Sequence, residues 1–237
     1  DTKFVCQISH AGGKAYKKVT GMDKISSSAV EMPNSRNDEF LPKEMDQKDI
    51  DRVIKNFAEA ALRCKKAGFD GVELHSAHGY LLNQFYSPLV NKRSDAYTGA
   101  SLEGRIRLHL EVIKAVKEAV GDDYPIILRL GACDYLEGGS SISDSVKACK
   151  VFEAAGVDLF DISGGFCFYI NPYNKEPGYF MEITEAIKKE LSVPVLLTGG
   201  IVDINDGERM LKEKKADLIG VGRAIYKDRD WARINMA

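Results

Sequence analysis

Gly68-Phe69-Asp70-Gly71 leads into Val72-Glu73-Leu74-His75-Ser76-Ala77-His78-Gly79-Tyr80, and the change of character half-way along this stretch decides how the chain folds. Its front half is a short apolar run, long enough for one buried strand. Its back half sets two imidazoles and a phenol within six residues, where that strand should stop. Ring N–H and O–H donors at the carboxyl end of a strand are well placed to hold one oxygen of a bound substrate. An isolated pair of histidines reads equally well as core residues with satisfied hydrogen bonds, so the surrounding pattern has to decide.

Outward from this stretch one theme repeats. Apolar runs rich in β-branched residues occur at 4–8, 71–74, 125–130, 158–162, 194–197 and 217–221. Ile50, Val53, Ile54, Phe57, Ala60, Ala61 and Cys64 recur at helical spacing on one face. Leu102, Ile106, His109, Ile113 and Val116 do so again, with Gly121 as the C-terminal cap. A third helix is predicted to begin near Ser143-Asp144, to bury Val146, Cys149 and Phe152, and to end at Gly156; two more are predicted over 181–191 and 206–214. Residues 12–44, with their Ser, Pro and Asn, read as a long excursion between the first strand and the first helix. Strands alternating with helices imply a parallel sheet covered by helices, and strands of Leu, Ile and Val imply burial on both faces.

A doubly wound sheet and a (β/α)8 TIM barrel share this alternation. Gln7-Ile8-Ser9-His10, His75, Arg129, Ser163-Gly164-Gly165, Thr198-Gly199-Gly200 and Gly222-Arg223 each sit at or just past the carboxyl end of a run. A barrel gathers those ends into one mouth, which favours the barrel. Six strands are counted and not eight, and a barrel short of two strands exposes two edges. The expectation is one barrel domain over residues 1–237 that supplies the third to eighth strands, with two βα units belonging before Asp1.

Composition bounds the function. With 237 residues and 44% hydrophobic content the chain can bury a large single core. Its 33 basic and 35 acidic residues are interspersed, without the basic block that nucleic acid calls for or an acidic tail. No apolar run approaches the roughly 20 residues of a membrane helix, and no signal peptide reads from the sequence. Cys6, Cys64, Cys133, Cys149 and Cys167 are too widely spaced for a zinc or redox pair. Reduced thiols in a cytoplasmic protein, and no metal site, are expected. Cys167, after a Gly-Gly pair, reads as either a reactive thiol or a small apolar filler.

Two glycine turns follow the last two runs, Leu197-Thr198-Gly199-Gly200 and Val221-Gly222-Arg223. Glycine lets a backbone approach a ligand closely. A helix starting after Gly222 would aim its N-terminus at the same place, and Arg223 can pair bidentately with phosphate oxygens. In barrels, phosphates commonly bind after the seventh and eighth strands. Arg129 closes a buried run and needs an anionic partner, either the N1–O2 edge of a reduced flavin or a carboxylate such as Asp134 or Asp161. Gln7 offers an amide that matches a pyrimidine edge. The charges of Asn91–Tyr97 and Arg105-Ile106-Arg107 read as a structural salt-bridge network or a solvated face.

The run from His75-Ser-Ala-His78-Gly-Tyr80-Leu-Leu-Asn-Gln84 through Ser87-Pro88 and Asn91-Lys-Arg93-Ser-Asp95-Ala-Tyr97 resembles the signature of the old yellow enzyme family of NADH:flavin oxidoreductases. It is similar to the bacterial ene-reductase branch, which has two histidines where others have His and Asn. Gln7-Ile-Ser-His10-Ala-Gly-Gly, Arg129-Leu-Gly-Ala-Cys-Asp134-Tyr and Gly220-Val-Gly222-Arg223-Ala match in order and spacing, so the resemblance covers essentially the whole chain. It implies FMN as cofactor and NADH or NADPH as reductant. Gln7 and Arg129 would hold the isoalloxazine, and Gly199, Gly200, Gly222 and Arg223 the phosphate. His75 and His78 would bind a substrate carbonyl oxygen, with Tyr80 beside them as proton donor or substrate contact. The implied partner is a small enone-type molecule, with a homo-oligomer left open. Tyr97-Thr98-Gly99-Ala100-Ser101 is one residue longer than the family's usual turn, and Gly13 stands where many members carry Arg. The implied activity is NAD(P)H-driven reduction of a C=C bond conjugated to a carbonyl. A flavin-barrel amine dehydrogenase or demethylase, and an incomplete barrel that catalyses nothing, are the alternatives.

Overall fold

The computed structural model describes residues 2–34 and 40–235. In chain order its first elements are β1 (Val5–Ile8), a 3-10 turn (Gly12–Lys14), α1 (Lys17–Thr20), β2 (Ile25–Ser26), β3 (Lys43–Glu44), α2 (Gln47–Lys66) and β4 (Gly71–Ser76). They are followed by α3 (Leu81–Tyr86), α4 (Leu102–Val120), β5 (Ile126–Cys133), α5 (Ile142–Ala154) and β6 (Leu159–Gly164). The last are α6 (Met181–Lys188), β7 (Val195–Leu197), α7 (Ile204–Lys212), β8 (Leu218–Ile219), α8 (Arg223–Lys227) and α9 (Trp231–Asn235).

Six strands form one sheet in the order β1-β4-β5-β6-β7-β8, and every pairing is parallel. The fold is α/β, six consecutive βα units of a (β/α)8 barrel. Among the described residues β1 and β8 each pair on one side only, and Phe4, Val5 and Leu218 are exposed along these edges. The helices start where side chains cap them: Asp46, Ser101 and Ser141 accept the backbone N–H three residues on, at Asp49, Gly104 and Asp144. No helix among the described residues is long and apolar enough to cross a membrane.

The core lies between the outer face of the sheet and the helices. Val72 and Leu74, Leu128 and Leu130, Phe160 and Ile162, Val195 and Leu197 are all buried there against Ile50, Val53, Phe57, Ile113, Val116 and Phe152. The inner face differs from the expectation of aliphatics on both sides: it carries Gln7, Glu73, His75, Arg129 and Asp161 among Ile127, Leu159 and Leu196. Alternation along a strand sends every second residue inward, so the polar residues of these runs form one layer.

Element ends also move. His75 and Arg129 lie within β4 and β5, which run on to Ser76 and Cys133, because their ladder continues through His75↔Arg129↔Asp161. The excursion contains its own short parallel pair, β2 with β3. Helix α3 follows Tyr80 where no helix was predicted, since its six residues are all buried and show no amphipathic stripe. On α5, Val146 is only half-buried; Ser145, Ala148, Cys149 and Phe152 make the buried face. Helices α6 and α7 stop at Lys188 and Lys212, short of their predicted ends.

Candidate active site

His75, His78 and Tyr80 converge. The His75 ring centroid is 5.1 Å from that of His78 and 5.2 Å from that of Tyr80. His75 leaves β4 on the inner face, and the chain then turns sharply: His78 has φ +58° and Gly79 φ +70°. Left-handed backbone at a histidine is strained and needs support. The His78 N–H donates to the Gly164 carbonyl at 3.2 Å, and Lys14 Nζ donates to the His78 carbonyl at 2.8 Å. The Gly79 N–H donates to Asn83 Oδ1, while Gln84 Nε2 donates to the Gly79 and Ala11 carbonyls and its Oε1 accepts from the Gly13 N–H. Gln84 thus ties the histidine turn to the 3-10 turn after β1.

Both histidines are neutral at neutral pH. Burial, and then the Arg129 charge, lowers His75 to about 4. The same causes, with His75 and Lys14 adding, lower His78 to about 3. His75 Nδ1 is buried without a hydrogen-bond partner among the described residues, whereas His78 Nε2 lies 2.8 Å from Ser163 Oγ.

Directly beside His75 in the ladder, Arg129 Nε lies 3.3 Å from Asp161 Oδ2. Of the two carboxylates expected for Arg129, Asp161 is the one in reach. Buried Asp134 is engaged elsewhere, accepting from Ser87 Oγ, Ser140 and the Phe166 N–H. Burial raises Asp161 above the ordinary carboxylate range, Arg129 opposes this, and Glu73 adds to it. Arg129 Nε and Asp161 Oδ1 make no hydrogen bond among the described residues. Gln7 shares this face but is exposed on edge strand β1, its amide given to Glu73 Oε2 at 2.5 Å.

The two glycine turns meet at Tyr179, a residue the sequence reading passed over. A Cβ on Gly199 (φ +120°) or Gly200 (φ +70°) would lie 2.8 Å from the Tyr179 ring, while one on Gly222 would meet nothing within 4 Å. Arg223 Nη2 donates to Tyr179 Oη at 2.7 Å and its guanidinium stands 5.7 Å from the Tyr169 ring. Helix α8 begins at Arg223 as expected but has only five residues, so Arg223 and the backbone N–H groups supply the positive end more than the helix does. These residues suit a phosphate in chemistry and placement. Arg129, ion-paired to Asp161 but with an Nε that makes no hydrogen bond among the described residues, and the unpartnered His75 Nδ1 suit the oxygens and ring nitrogens of a flavin and its ligand, so the donor set fits FMN.

Over His78 and Tyr80 opens a cavity of about 850 Å³, walled by the 12–44 excursion through Lys14 and Met32 and by the loop after β6 through Phe168 and Tyr169. The remaining charged motifs are structural. The Arg93 side chain is buried and donates to the Ser27 and Met45 carbonyls and to Asp95, and buried Arg105 pairs with Asp144; Arg107 is exposed and pairs with Glu111. The cysteines are free thiols, and burial pushes Cys167 up to about 12, so it is no ready nucleophile. No group of His, Cys, Asp and Glu suited to a metal occurs among the described residues.

A family model described as the NADH:flavin oxidoreductase / NADH oxidase family matches residues 1–235. The chain belongs to this family. The membership bears out the resemblance to old yellow enzymes and, with it, FMN as the cofactor. The chain of this NADH:flavin oxidoreductase family member is 38% identical over 239 residues to an NADH oxidase of Thermoanaerobacter brockii, covering 98% of this chain and 36% of that one. It is 39% identical over 231 residues to an NADPH dehydrogenase of Clostridium acetobutylicum, covering 96% and 65%. Among solved structures it is similar to histamine dehydrogenase from Rhizobium sp. 4-9, with a TM-score of 0.87 at 28% identity, covering 98% of this chain and 34% of that one. The chain therefore spans between about a third and two thirds of the length of these relatives.

Proposed function

We propose that this protein is an FMN-dependent NAD(P)H oxidoreductase that reduces the C=C bond of α,β-unsaturated carbonyl compounds. The observation that carries the reading is the neutral His75–His78–Tyr80 cluster beside Arg129, a group of donors poised for an oxygen that gains negative charge. Bound FMN supplies hydride to the β-carbon. His75, through its unpartnered Nδ1, and His78 hold the carbonyl oxygen and stabilise the enolate, with Ser163 orienting His78. Tyr80, or solvent, delivers the proton to the α-carbon. Gln7 and Arg129 hold the isoalloxazine, and Gly199, Gly200, Gly222 and Arg223 the phosphate, with Tyr179 positioning Arg223. The 237 residues act as one FMN-binding barrel domain whose β1 and β8 edges are joined by two further βα units.

The test is anaerobic incubation of the FMN-loaded protein with NAD(P)H and cyclohex-2-enone, with the saturated ketone as expected product. His75→Ala should weaken phenolate-type ligands by about 1.5–3 kcal/mol, the worth of a hydrogen bond to a charged group, while FMN stays bound; loss of FMN would make His75 structural. The likeness to histamine dehydrogenase supports amine oxidation as the second reading. An ammonium substrate would meet the cations Arg129 and Lys14 around the histidines, which disfavours it. Amine oxidation without enone turnover would reverse the choice.

A further inference from the structure

Lys14 stands in the wall of the cavity above the histidines, and nothing in the proposed chemistry uses its charge. Its ammonium donates to the His78 carbonyl at 2.8 Å, leaving two N–H bonds to place. It faces the Phe168 ring at 3.8 Å, with Phe166 at 5.7 Å and Tyr80 at 6.0 Å. Among the described residues no carboxylate lies within ion-pairing distance of it. Burial lowers its pKa to about 8, and no acidic neighbour opposes that. Aromatic faces offset part of the cost of a desolvated cation but do not neutralise it. Gly79 keeps the space free, since a Cβ there would lie 2.7 Å from Lys14 Nζ. Among the described residues the other charged groups on this cavity are buried Lys24, which has interactions of its own, and exposed Glu31.

We propose that Lys14 anchors an anionic group, a carboxylate or phosphate, carried by the molecule that sits over His78 and Tyr80. This rests on the ene-reductase reading and narrows it: the preferred reactant carries an acid group on the side away from the polarised carbonyl. The same ammonium would serve a coenzyme phosphate if the nicotinamide nucleotide takes that position.

The experiment compares the FMN-loaded full-length protein with its Lys14→Met and Lys14→Arg variants. Two enones of one skeleton are used, neutral cyclohex-2-enone and 3-oxocyclohex-1-ene-1-carboxylate, with binding read by calorimetry and turnover by NAD(P)H oxidation. Lys14→Met should raise Kd and KM for the carboxylate by about tenfold or more, the worth of a charge-assisted bond. The neutral enone, which feels only the lost brace on His78, should lose far less than the carboxylate, and Lys14→Arg should recover most of the carboxylate's loss. A tenfold loss confined to NADH or NADPH in anaerobic flavin bleaching also supports the anion site and assigns it to the coenzyme. Equal losses for both enones would make Lys14 a structural brace for His78 and overturn the proposal. So would no change in any arm. If wild-type protein neither binds nor reduces either enone, the ene-reductase reading fails by itself, and the coenzyme arm alone decides the anion site.

Discussion

Replacing Arg129 by Met tests whether the polar inner layer is held by one ion pair. At 3.3 Å from Asp161 the attraction is about 5 kcal/mol for an effective dielectric of 20, largely offset by desolvation of both groups. Removing Arg129 strands the 5%-exposed Asp161 carboxylate. The Arg129 side chain is 25% exposed, so the lower end of the cost of breaking a buried pair, about 3 kcal/mol, is expected at pH 8. Asp161 already sits above the ordinary carboxylate range, and losing Arg129 moves it further up. A folded-state pKa raised above the unfolded value penalises folding fully above the folded pKa and not at all below the unfolded one. The deficit of Arg129→Met should therefore shrink between pH 8 and pH 5 as Asp161 takes up a proton. Adding Asp161→Asn should recover most of the stability at pH 8 but not the affinity for FMN. Urea unfolding of the flavin-free proteins at both pH values, with flavin fluorescence titration alongside, reads all of this. A deficit equal at pH 5 and pH 8, or untouched by Asp161→Asn, would refute the reasoning.

Gly199→Ala should cost about 1–3 kcal/mol through its left-handed backbone and displace Tyr179. FMN affinity should fall more than riboflavin affinity, whereas Gly222→Ala, with open space around its Cβ, should leave the melting temperature unchanged. His109 is fully buried with Nε2 2.7 Å from Ser76 Oγ, and burial lowers its pKa to about 3. Its contribution is intact above the unfolded value near 6.5 and is lost as pH falls from there toward 3, about 2 kcal/mol of it by pH 5. His109→Gln should flatten the fall in urea midpoint between pH 7 and 5 by that amount, and an unchanged slope would count against a buried neutral His109. Ser163→Ala should leave FMN in place and weaken phenolate ligands, read from the shift of the flavin absorption band, because His78 loses the bond at Nε2.

Much of this molecule is written locally. Helical periodicity, capping residues and apolar runs are short-range signals, so α2, α4, α5 and the six strands were legible in order and approximate extent. The two-histidine motif and the paired glycine turns were legible because each is contiguous in the chain. Helix α3 and the buried Arg93 and Arg105 were not, since a helix buried on every side shows no stripe and a charge in sequence does not reveal its burial. The strand ends were misjudged where polar side chains continue a ladder, at His75 and Arg129.

By itself, then, the sequence determined the βα alternation, the family and the residues gathered near one rim. Only the tertiary structure decided that Arg129 faces Asp161 and not Asp134, that Tyr179 joins Gly199-Gly200 to Arg223, and that Lys14 reaches the carbonyl of His78. Those contacts cross from one βα unit to another, 20 to 64 positions apart along the chain. Ladder register and loop packing bring such residues together, and neither is encoded in the spacing of any single segment.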